Sequence, residues 1–233
     1  TTDRRAIPEM EHHVPRVQPA EELGFSAIWL RDVPFEVPSF GDAGQLFDPF
    51  VYLGSLAAQT SRIALGVASV ILPLRHPAHV AKAAATADAF SNGRLILGVA
   101  SGDRPEEYPA INVPYELRGE LIRESYDYIR NVGEDSPTFK NVRGEVRGGI
   151  NMLPKPHGAR LPLLVTGSSQ QSNEWIATNG DGWMTYPRPA NTQAQLIATF
   201  RASSEVAGHV SKPVMEPLYV DIVDDANAQP TPI

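Results

Sequence analysis

The chain has 233 residues, of which 42% are apolar and 20% charged, as in an ordinary globular protein with one large core. Its formal net charge of -7 gives no reason to expect nucleic acid or an anionic membrane as a partner. The absence of Cys excludes disulfides and thiolate chemistry, and no run approaches the roughly 20 apolar residues of a membrane span. No signal peptide is recognisable, so we expect a cytoplasmic protein.

Helices and strands are predicted to alternate along the chain. A helix over 9–23 precedes a buried strand over 26–30, and Asp48 followed by Pro49 is typical of the start of a helix that runs to about Thr60. Further strands are predicted at 63–71, 95–100, 163–166, 182–186 and 218–222, and further helices at 77–90, 118–132, 170–179 and 191–207. This alternation favours a parallel sheet.

One octapeptide occurs twice. Arg62-Ile-Ala-Leu-Gly-Val-Ala-Ser69 is followed 32 residues later by Arg94-Leu-Ile-Leu-Gly-Val-Ala-Ser101. The Ala-rich segment between them has Pro at its first turn and Gly just past its end, which predicts a helix. The unit is therefore a strand, a helix and a parallel strand, and both strands end in Ser at the edge where α/β folds place their chemistry.

The stretch 104–160 breaks this alternation. It predicts one helix, 118–132, and is otherwise polar and rich in Pro and Gly. We interpret it as an insertion or lid in a single domain that spans 1–233.

In the preceding part, His76 and His79 have helical spacing but no clear third ligand, so a structural hydrogen bond at a helix start is expected rather than a metal site.

Four blocks of sequence resemble the bacterial luciferase-like family of flavin-dependent monooxygenases. The blocks are Glu21–Phe25, Leu65–Pro77, Ser91–Asp103 and Asp181–Trp183, and the likeness covers roughly 9–222. It implies a TIM-type (β/α)8 barrel, although six strands are predicted where eight are needed, so the barrel can be incomplete at the termini. It also implies reduced FMN, or in some members F420, bound at the carboxyl ends of the strands.

The resemblance further implies roles for individual residues. Family members often carry a non-prolyl cis peptide that forms a bulge against the flavin ring, and Ser69 and Val70 stand at that position. Many relatives have a Glu-His pair near Arg31 and Asp32, and the missing His makes light emission unexpected. The catalytic candidates are Arg31, Asp32 and Asp103. The cofactor-binding candidates are Ser69, Val70, Arg75, Asp103, Gly167, Ser168, Ser169, Met184, Thr185 and Tyr186.

A phosphate site can also be argued from physical chemistry. Gly167–Ser169 lies between a predicted strand and a predicted helix, where free N–H groups and the helix dipole favour an anion. A plain Ser N-cap is the alternative interpretation. The next strand end, Met184–Tyr186, is expected to add amide donors, and Arg188 either adds charge or is a solvated loop residue. A salt bridge at the rim is the alternative for Arg31, and a loop cap is the alternative for Asp103. Arg75 is a candidate contact of the flavin or of an acidic substrate.

Several functions stay open at this level. A monooxygenase that uses reduced FMN and O2 on a small organic substrate comes first, with a separate flavin reductase as a candidate partner. An F420-dependent dehydrogenase and a non-catalytic flavin-binding protein are the alternatives. A barrel aldolase or metal hydrolase is disfavoured, because neither a strand-end Lys nor a His/carboxylate cluster is found. Small residues at 53–58 and 81–87 suit either a homodimer or packing within the barrel.

Overall fold

The computed structural model describes residues 13–40, 47–209 and 212–218. The α-helices are α1 (Val14–Glu22), α2 (Pro49–Ala57), α3 (Pro77–Ser91), α4 (Glu107–Ala110), α5 (Arg118–Val132), α6 (Asn173–Asn179) and α7 (Ala190–Val206). The strands are β1 (Ala27–Leu30), β2 (Ala64–Ile71), β3 (Leu95–Ala100), β4 (Thr138–Asn141), β5 (Gly144–Arg147), β6 (Leu163–Thr166), β7 (Gly182–Met184) and β8 (Val214–Met215).

Six of these strands form one parallel sheet in the order β1-β2-β3-β6-β7-β8. Helices connect the successive strands of this sheet, as in a TIM-type barrel. Within the described ranges the sheet is a curled part-barrel, in which β1 and β8 are the outer strands. We call the edge where the six strands end the carboxyl-end rim, and the opposite edge the amino-end rim. Ser69 and Ser101 lie at the same rim, as predicted.

One face of the sheet packs against the helices and forms the core. Leu65, Val67 and Leu97 are at most 1% exposed, because alternate side chains of each strand point towards the helical layer. On α3, Ala81 and Ala84 are fully buried in this layer. Packing within the chain therefore accounts for the small residues of this helix, and the homodimer stays a prediction.

On the other face of the sheet, close packing requires two glycines that occupy the same position in the repeated octapeptide. A Cβ on Gly66 would lie 2.3 Å from Cε3 of Trp29 on β1. A Cβ on Gly98 would lie 2.5 Å from the carbonyl oxygen of Val67 and 2.7 Å from Sδ of Met184 on β7. At both positions the missing side chain leaves room for a large side chain from another strand.

The structure differs from the predicted elements in several places, which include the unpredicted short helix α4 within 104–160. Strand β8 was not predicted; Leu218 lies outside any strand, and the rest of the predicted strand 218–222 falls outside the described residues. Helix α6 begins at Asn173 and not at Gln170, because Ser172 caps it by accepting a hydrogen bond from the N–H of Trp175 at 3.2 Å. The antiparallel hairpin β4–β5 within 104–160 was not predicted, since its short strands are largely polar and partly exposed.

Candidate functional site

Strand β2 ends in a bulge at the residues that the resemblance indicates. Its register against β3 shifts between Val67 and Val70, and the peptide bond between Ala68 and Ser69 is cis. Val70 is fully buried, whereas the hydroxyl of Ser69 lies 2.5 Å from Oγ1 of Thr166, the last residue of β6. Ser69 therefore connects two strand ends that face the same rim, although β3 lies between them.

The second copy of the octapeptide ends differently. Strand β3 turns at Gly102, which has a φ of +78°. The carbonyl of Ser101, rather than its hydroxyl, is held, because it accepts a hydrogen bond from the hydroxyl of Tyr108. A Cβ on Gly102 would lie 2.7 Å from Cγ2 of Ile71 at the end of β2. The residues that follow the two copies, Ile71 and Gly102, thus lie against each other.

The loop after β6 contains the predicted phosphate-binding residues. Gly167, Ser169 and Gln170 have positive φ values of 58°, 47° and 60°, and the hydroxyl of Ser169 donates to the carbonyl of Thr166 at 2.6 Å. In the described part of the chain, the N–H groups of Ser168 and Gln170 have no acceptor. Helix α6 starts only at Asn173, so the expectation that the helix dipole acts directly at Ser169 was wrong. Donors for an anion would come from the loop itself.

The segment after β7 contributes less than expected. The N–H of Thr185 donates to the carbonyl of Met215 at 2.8 Å, so this amide is already engaged. The ring of Tyr186 is 54% exposed, and its Cε2 would lie 3.0 Å from a Cβ on Gly167. Arg188 donates to Oγ1 of Thr185 at 2.7 Å and to the carbonyl of Tyr186 at 2.8 Å, which ties its guanidinium to its own loop.

A charged cluster connects β1, β2 and α2 at the carboxyl-end rim. The guanidinium of Arg75 donates to Asp32 from Nε at 2.9 Å and from Nη2 at 2.7 Å, and Nη2 also donates to Asp48 at 2.9 Å. Burial disfavours the charged form of Asp48, but the N–H of Val51 and the guanidinium of Arg75 hold the pKa of Asp48 below its usual value. Because the guanidinium of Arg75 is bonded to both carboxylates, this side chain can hold Asp32 and Asp48 in place.

The other rim candidates lie in the loops after β1 and β3. Arg31 and Asp103 are exposed. Between these loops lies a buried acidic residue that the sequence did not single out, Glu107, whose Oε1 is 3.8 Å from Nη1 of Arg104. Burial raises the pKa of Glu107, and the nearby Arg104 opposes this rise. The sequence indicates no more of Glu107 than that it lies in the segment after β3, where it begins α4.

His76 has the structural role that its position at a helix start predicts. It is the N-cap of α3, and its Nδ1 accepts a hydrogen bond from the N–H of Ala78 at 3.3 Å. Over the described ranges, no group of three His, Asp or Glu residues is arranged to bind a metal ion. In the same ranges every helix is too short or too polar to cross a bilayer.

A cleft is present at each rim. The one at the carboxyl-end rim has a volume of about 230 Å³ and includes Asp32, Pro34, Phe47 and Arg75. The one at the amino-end rim has a similar volume of about 230 Å³ and is lined by residues that include Tyr126, Arg130, Arg160 and Asn179. Of these two clefts, only the first contains residues that follow β1 and β2, namely Asp32 and Arg75, and neither cleft is lined by Ser69 or Val70.

The amino-acid sequence also matches a known protein family. The sequence profile of luciferase-like monooxygenases matches residues 2–225, almost the whole chain. The chain belongs to this family. Its members share the parallel barrel with chemistry at the carboxyl-end rim, which agrees with the fold described above.

Individual relatives differ in what they are named for. The chain is 35% identical to an uncharacterized protein of Mycobacterium tuberculosis over 160 residues, which is 65% of this chain and 56% of that protein. It is 29% identical to an F420-dependent hydroxymycolic acid dehydrogenase of the same organism over 199 residues, which is 84% of this chain and 54% of that protein. The matched segments therefore cover about half the length of each of these two relatives.

A solved structure gives the same fold. A monooxygenase from Streptomyces bottropensis superposes with a TM-score of 0.80 at 23% identity, over 89% of this chain and 64% of that one. This likeness shows that the described part-barrel has the fold of the corresponding part of that chain.

Proposed function

We propose that the protein is a flavin-dependent oxidoreductase, namely a monooxygenase that uses reduced FMN and O2 on a small organic substrate. The observation that carries this proposal is the β2 bulge, which lies at the carboxyl-end rim beside Thr166 and the loop after β6. In the family, a bulge at this place borders the flavin ring. The monooxygenase among the structural neighbours supports the same reaction class.

The rim residues fit such a cofactor. Ala68 and Ala100 are small, apolar and only half-buried, which suits a flat aromatic ring. The exposed hydroxyl of Ser168 and the N–H groups of the loop after β6 suit a phosphate, because an anion is stabilised by several converging donors. These features favour a ring near Ser69 and Val70, with the phosphate at Gly167–Ser169.

The protein's own task in this reaction is binding, orientation and exclusion of water. When bound, reduced FMN supplies the electrons for the reaction with O2. Ser69 is held by Thr166, so it presents a fixed polar edge, while the buried Val70 and Met184 keep water from the adjoining face. Arg31 and Asp103 are exposed at the same rim and can contact a substrate or the polar edge of the cofactor.

The second candidate is an F420-dependent dehydrogenase. The observation that favours it is the F420-dependent dehydrogenase of M. tuberculosis, which matches 84% of this chain. The same rim would hold either cofactor, since both carry a tricyclic ring and a phosphate-bearing chain. A non-catalytic flavin-binding protein is the third candidate, favoured by the absence of His beside Arg31 and Asp32.

The separating experiment is a parallel titration of the purified protein with FMN, reduced FMN and F420, followed by fluorescence and absorbance. The proposal expects binding of reduced FMN and, with a suitable substrate, O2 consumption. Tight F420 binding without FMN binding would reverse the order of the candidates. FMN binding with no O2 consumption across reductants and substrates would instead support the non-catalytic protein.

The remaining expectations are proposals of the same kind. A single domain with 104–160 as its insertion, a homodimer, a separate flavin reductase and a cytoplasmic location all accord with the luciferase-like family. Size-exclusion chromatography with light scattering tests the dimer, and reduction of FMN by added NADH in the absence of a reductase would remove the need for that partner.

A further inference from the structure

The end of β2 is tied to the end of β1 through one carboxylate. Oδ2 of Asp32 accepts a hydrogen bond from the backbone N–H of Ile71 at 3.3 Å. Ile71 is the last residue of β2 and follows the bulge that contains Ser69 and Val70. The side chain of Asp32 is only 2% exposed, so water competes little for this bond. The position of the bulge is therefore coupled to Asp32.

Arg75 in turn fixes Asp32. Its planar guanidinium donates to both carboxylate oxygens of Asp32, a geometry that a Lys side chain cannot reproduce. The same guanidinium binds Asp48, whose Oδ1 accepts from two N–H groups at the start of α2. The backbone carbonyl of Arg75 accepts from Nη2 of Arg143 at 2.7 Å. The carboxylate that meets the bulge is thereby anchored to α2 and to the segment that joins β4 and β5.

The opposite side of Ile71 is confined as well. A Cβ on Gly102 would lie 2.7 Å from Cγ2 of Ile71 and 2.8 Å from the hydroxyl of Tyr108. The side chain of Ile71 thus packs against the end of β3, while its N–H is held from the β1 side. Its backbone has little room to shift without loss of one of these contacts.

We propose that Asp32 and Arg75 are positioning residues, which hold the β2 bulge in the conformation that the cofactor meets. This inference deepens the proposed function and rests on it for the identity of the cofactor. Asp32 acts through Ile71 and Arg75 acts through Asp32, so neither side chain has to touch the cofactor. Loss of either anchor is expected to loosen the bulge and to weaken cofactor binding, because small displacements at a binding surface are costly.

Asp181 provides a matched control at the amino-end rim. Its Oδ2 accepts from Arg130 at 2.5 Å and from the N–H of Leu163 at 2.8 Å, and its Oδ1 accepts from Arg160. It therefore combines Arg donors and a strand N–H on one carboxylate, as Asp32 does. The strand that it holds, β6, begins in regular register against β3 at the amino-end rim, three residues before Thr166.

The experiment compares Asp32→Asn, Arg75→Lys and Asp181→Asn with the wild-type protein. Asn has one acceptor oxygen, so in Asp32→Asn either Ile71 or Arg75 loses its acceptor. Two readouts are taken: hydrogen–deuterium exchange of the segment 69–71 without cofactor, and the affinity and absorbance spectrum of bound FMN. Thermal unfolding is recorded for each variant.

The proposal predicts that Asp32→Asn accelerates exchange at 69–71 by about tenfold or more, weakens FMN binding by about tenfold and alters the flavin spectrum. Asp181→Asn is expected to lower Tm while exchange at 69–71, FMN affinity and spectrum stay at wild-type values. Unchanged exchange at 69–71 in Asp32→Asn, or an equal loss of FMN affinity in Asp181→Asn, would overturn the proposal. If Asp32→Asn does not fold, Arg75→Lys decides by the same readouts, with a smaller shift expected.

A failure of the proposed function gives a different result. If the wild-type protein binds neither FMN nor F420, the cofactor assignment is wrong. Exchange at 69–71 in the cofactor-free variants then still decides whether Asp32 and Arg75 position the bulge.

Discussion

The two rims of the sheet use the same chemistry for different purposes. At the amino-end rim, Asp181 joins Arg130 and Arg160 to the N–H of Leu163, where a regular strand begins. At the carboxyl-end rim, Asp32 joins Arg75 to the N–H of Ile71, where an irregular strand ends.

The difference shows which feature of a charge network indicates function. An Arg–carboxylate pair at a strand end is not in itself a sign of function, because the amino-end network has the same donors and acceptors as the other. What distinguishes the carboxyl-end network is the segment that it holds, a bulge beside half-buried small residues at the rim where barrel enzymes bind their ligands. Variants at the two rims can therefore show whether a change affects the stability of the protein alone or also its affinity for FMN.

The largest effect on stability is expected from Asp181→Ala. This change removes the carboxylate partner of Arg130 and the acceptor of the N–H of Leu163 in a largely buried setting, so the free energy of unfolding should fall by about 2–4 kcal/mol. FMN affinity of the folded variant should change less than about twofold, since the site is at the other rim. Urea denaturation and FMN titration measure the two quantities. A loss of FMN affinity much larger than this would mean that the two rims are coupled.

Gly98→Ala is expected to have the next largest effect, and it should change both stability and FMN binding. The added Cβ would lie 2.5 Å from the carbonyl oxygen of Val67, which cannot move without moving the start of the bulge. We expect a loss of about 1–3 kcal/mol in the free energy of unfolding, together with weaker FMN binding. Gly54→Ala on α2 is the control, because nothing lies within 4 Å of its added Cβ, and it should leave FMN binding unchanged. Equal behaviour of the two variants would contradict the described packing at Gly98.

The fold was largely predictable because its signals are local. The two apolar octapeptides and the Ala-rich segment between them determine β2, α3 and β3 by periodicity and by the turn residues that bound them. The described part of the chain bears this out with elements within a few residues of those predicted. Strand β8 was missed because it contains only two residues between Pro213 and Pro217, too few for a pattern.

The site was less predictable because its geometry depends on distant residues and on backbone angles. Arg75 meets Asp32 across 43 positions and Asp48 across 27, and no spacing in the sequence indicates which carboxylate it binds. The late start of α6 follows from positive φ values at Ser169 and Gln170, which residues other than Gly rarely adopt. The bulge at Ser69 was anticipated only through the resemblance to the family.

The two Ser residues of the repeat offer a finer comparison within the carboxyl-end rim. Ser69→Ala removes the hydrogen bond to Thr166 and should lower the free energy of unfolding by about 0.5–1.5 kcal/mol. Ser101→Ala keeps the bond between its own carbonyl and Tyr108, so its effect should be smaller. FMN binding should weaken more in Ser69→Ala than in Ser101→Ala. The reverse order in an FMN titration would place the ring over β3 instead of β2.

The smallest expected effect is a pH dependence at the amino-end rim. The carboxylate of Glu21 accepts from the N–H groups of Ile63, Arg62 and Ser61, which lowers the pKa of Glu21 from 4.5 to about 2. Because the pKa is lower in the folded state, this stabilisation is complete above about pH 4.5 and is lost as the pH falls towards 2. Glu21→Gln should flatten the change in Tm between these pH values, and an unchanged slope would contradict the assignment.

A crystal structure of the protein with FMN would show whether the carboxyl-end rim binds a reduced flavin at the β2 bulge. We expect the ring against Ala68–Val70 and the phosphate within hydrogen-bond distance of the loop Gly167–Ser169. A ring bound in the amino-end cleft beside Tyr126 and Arg130, or elsewhere away from the bulge, would contradict it.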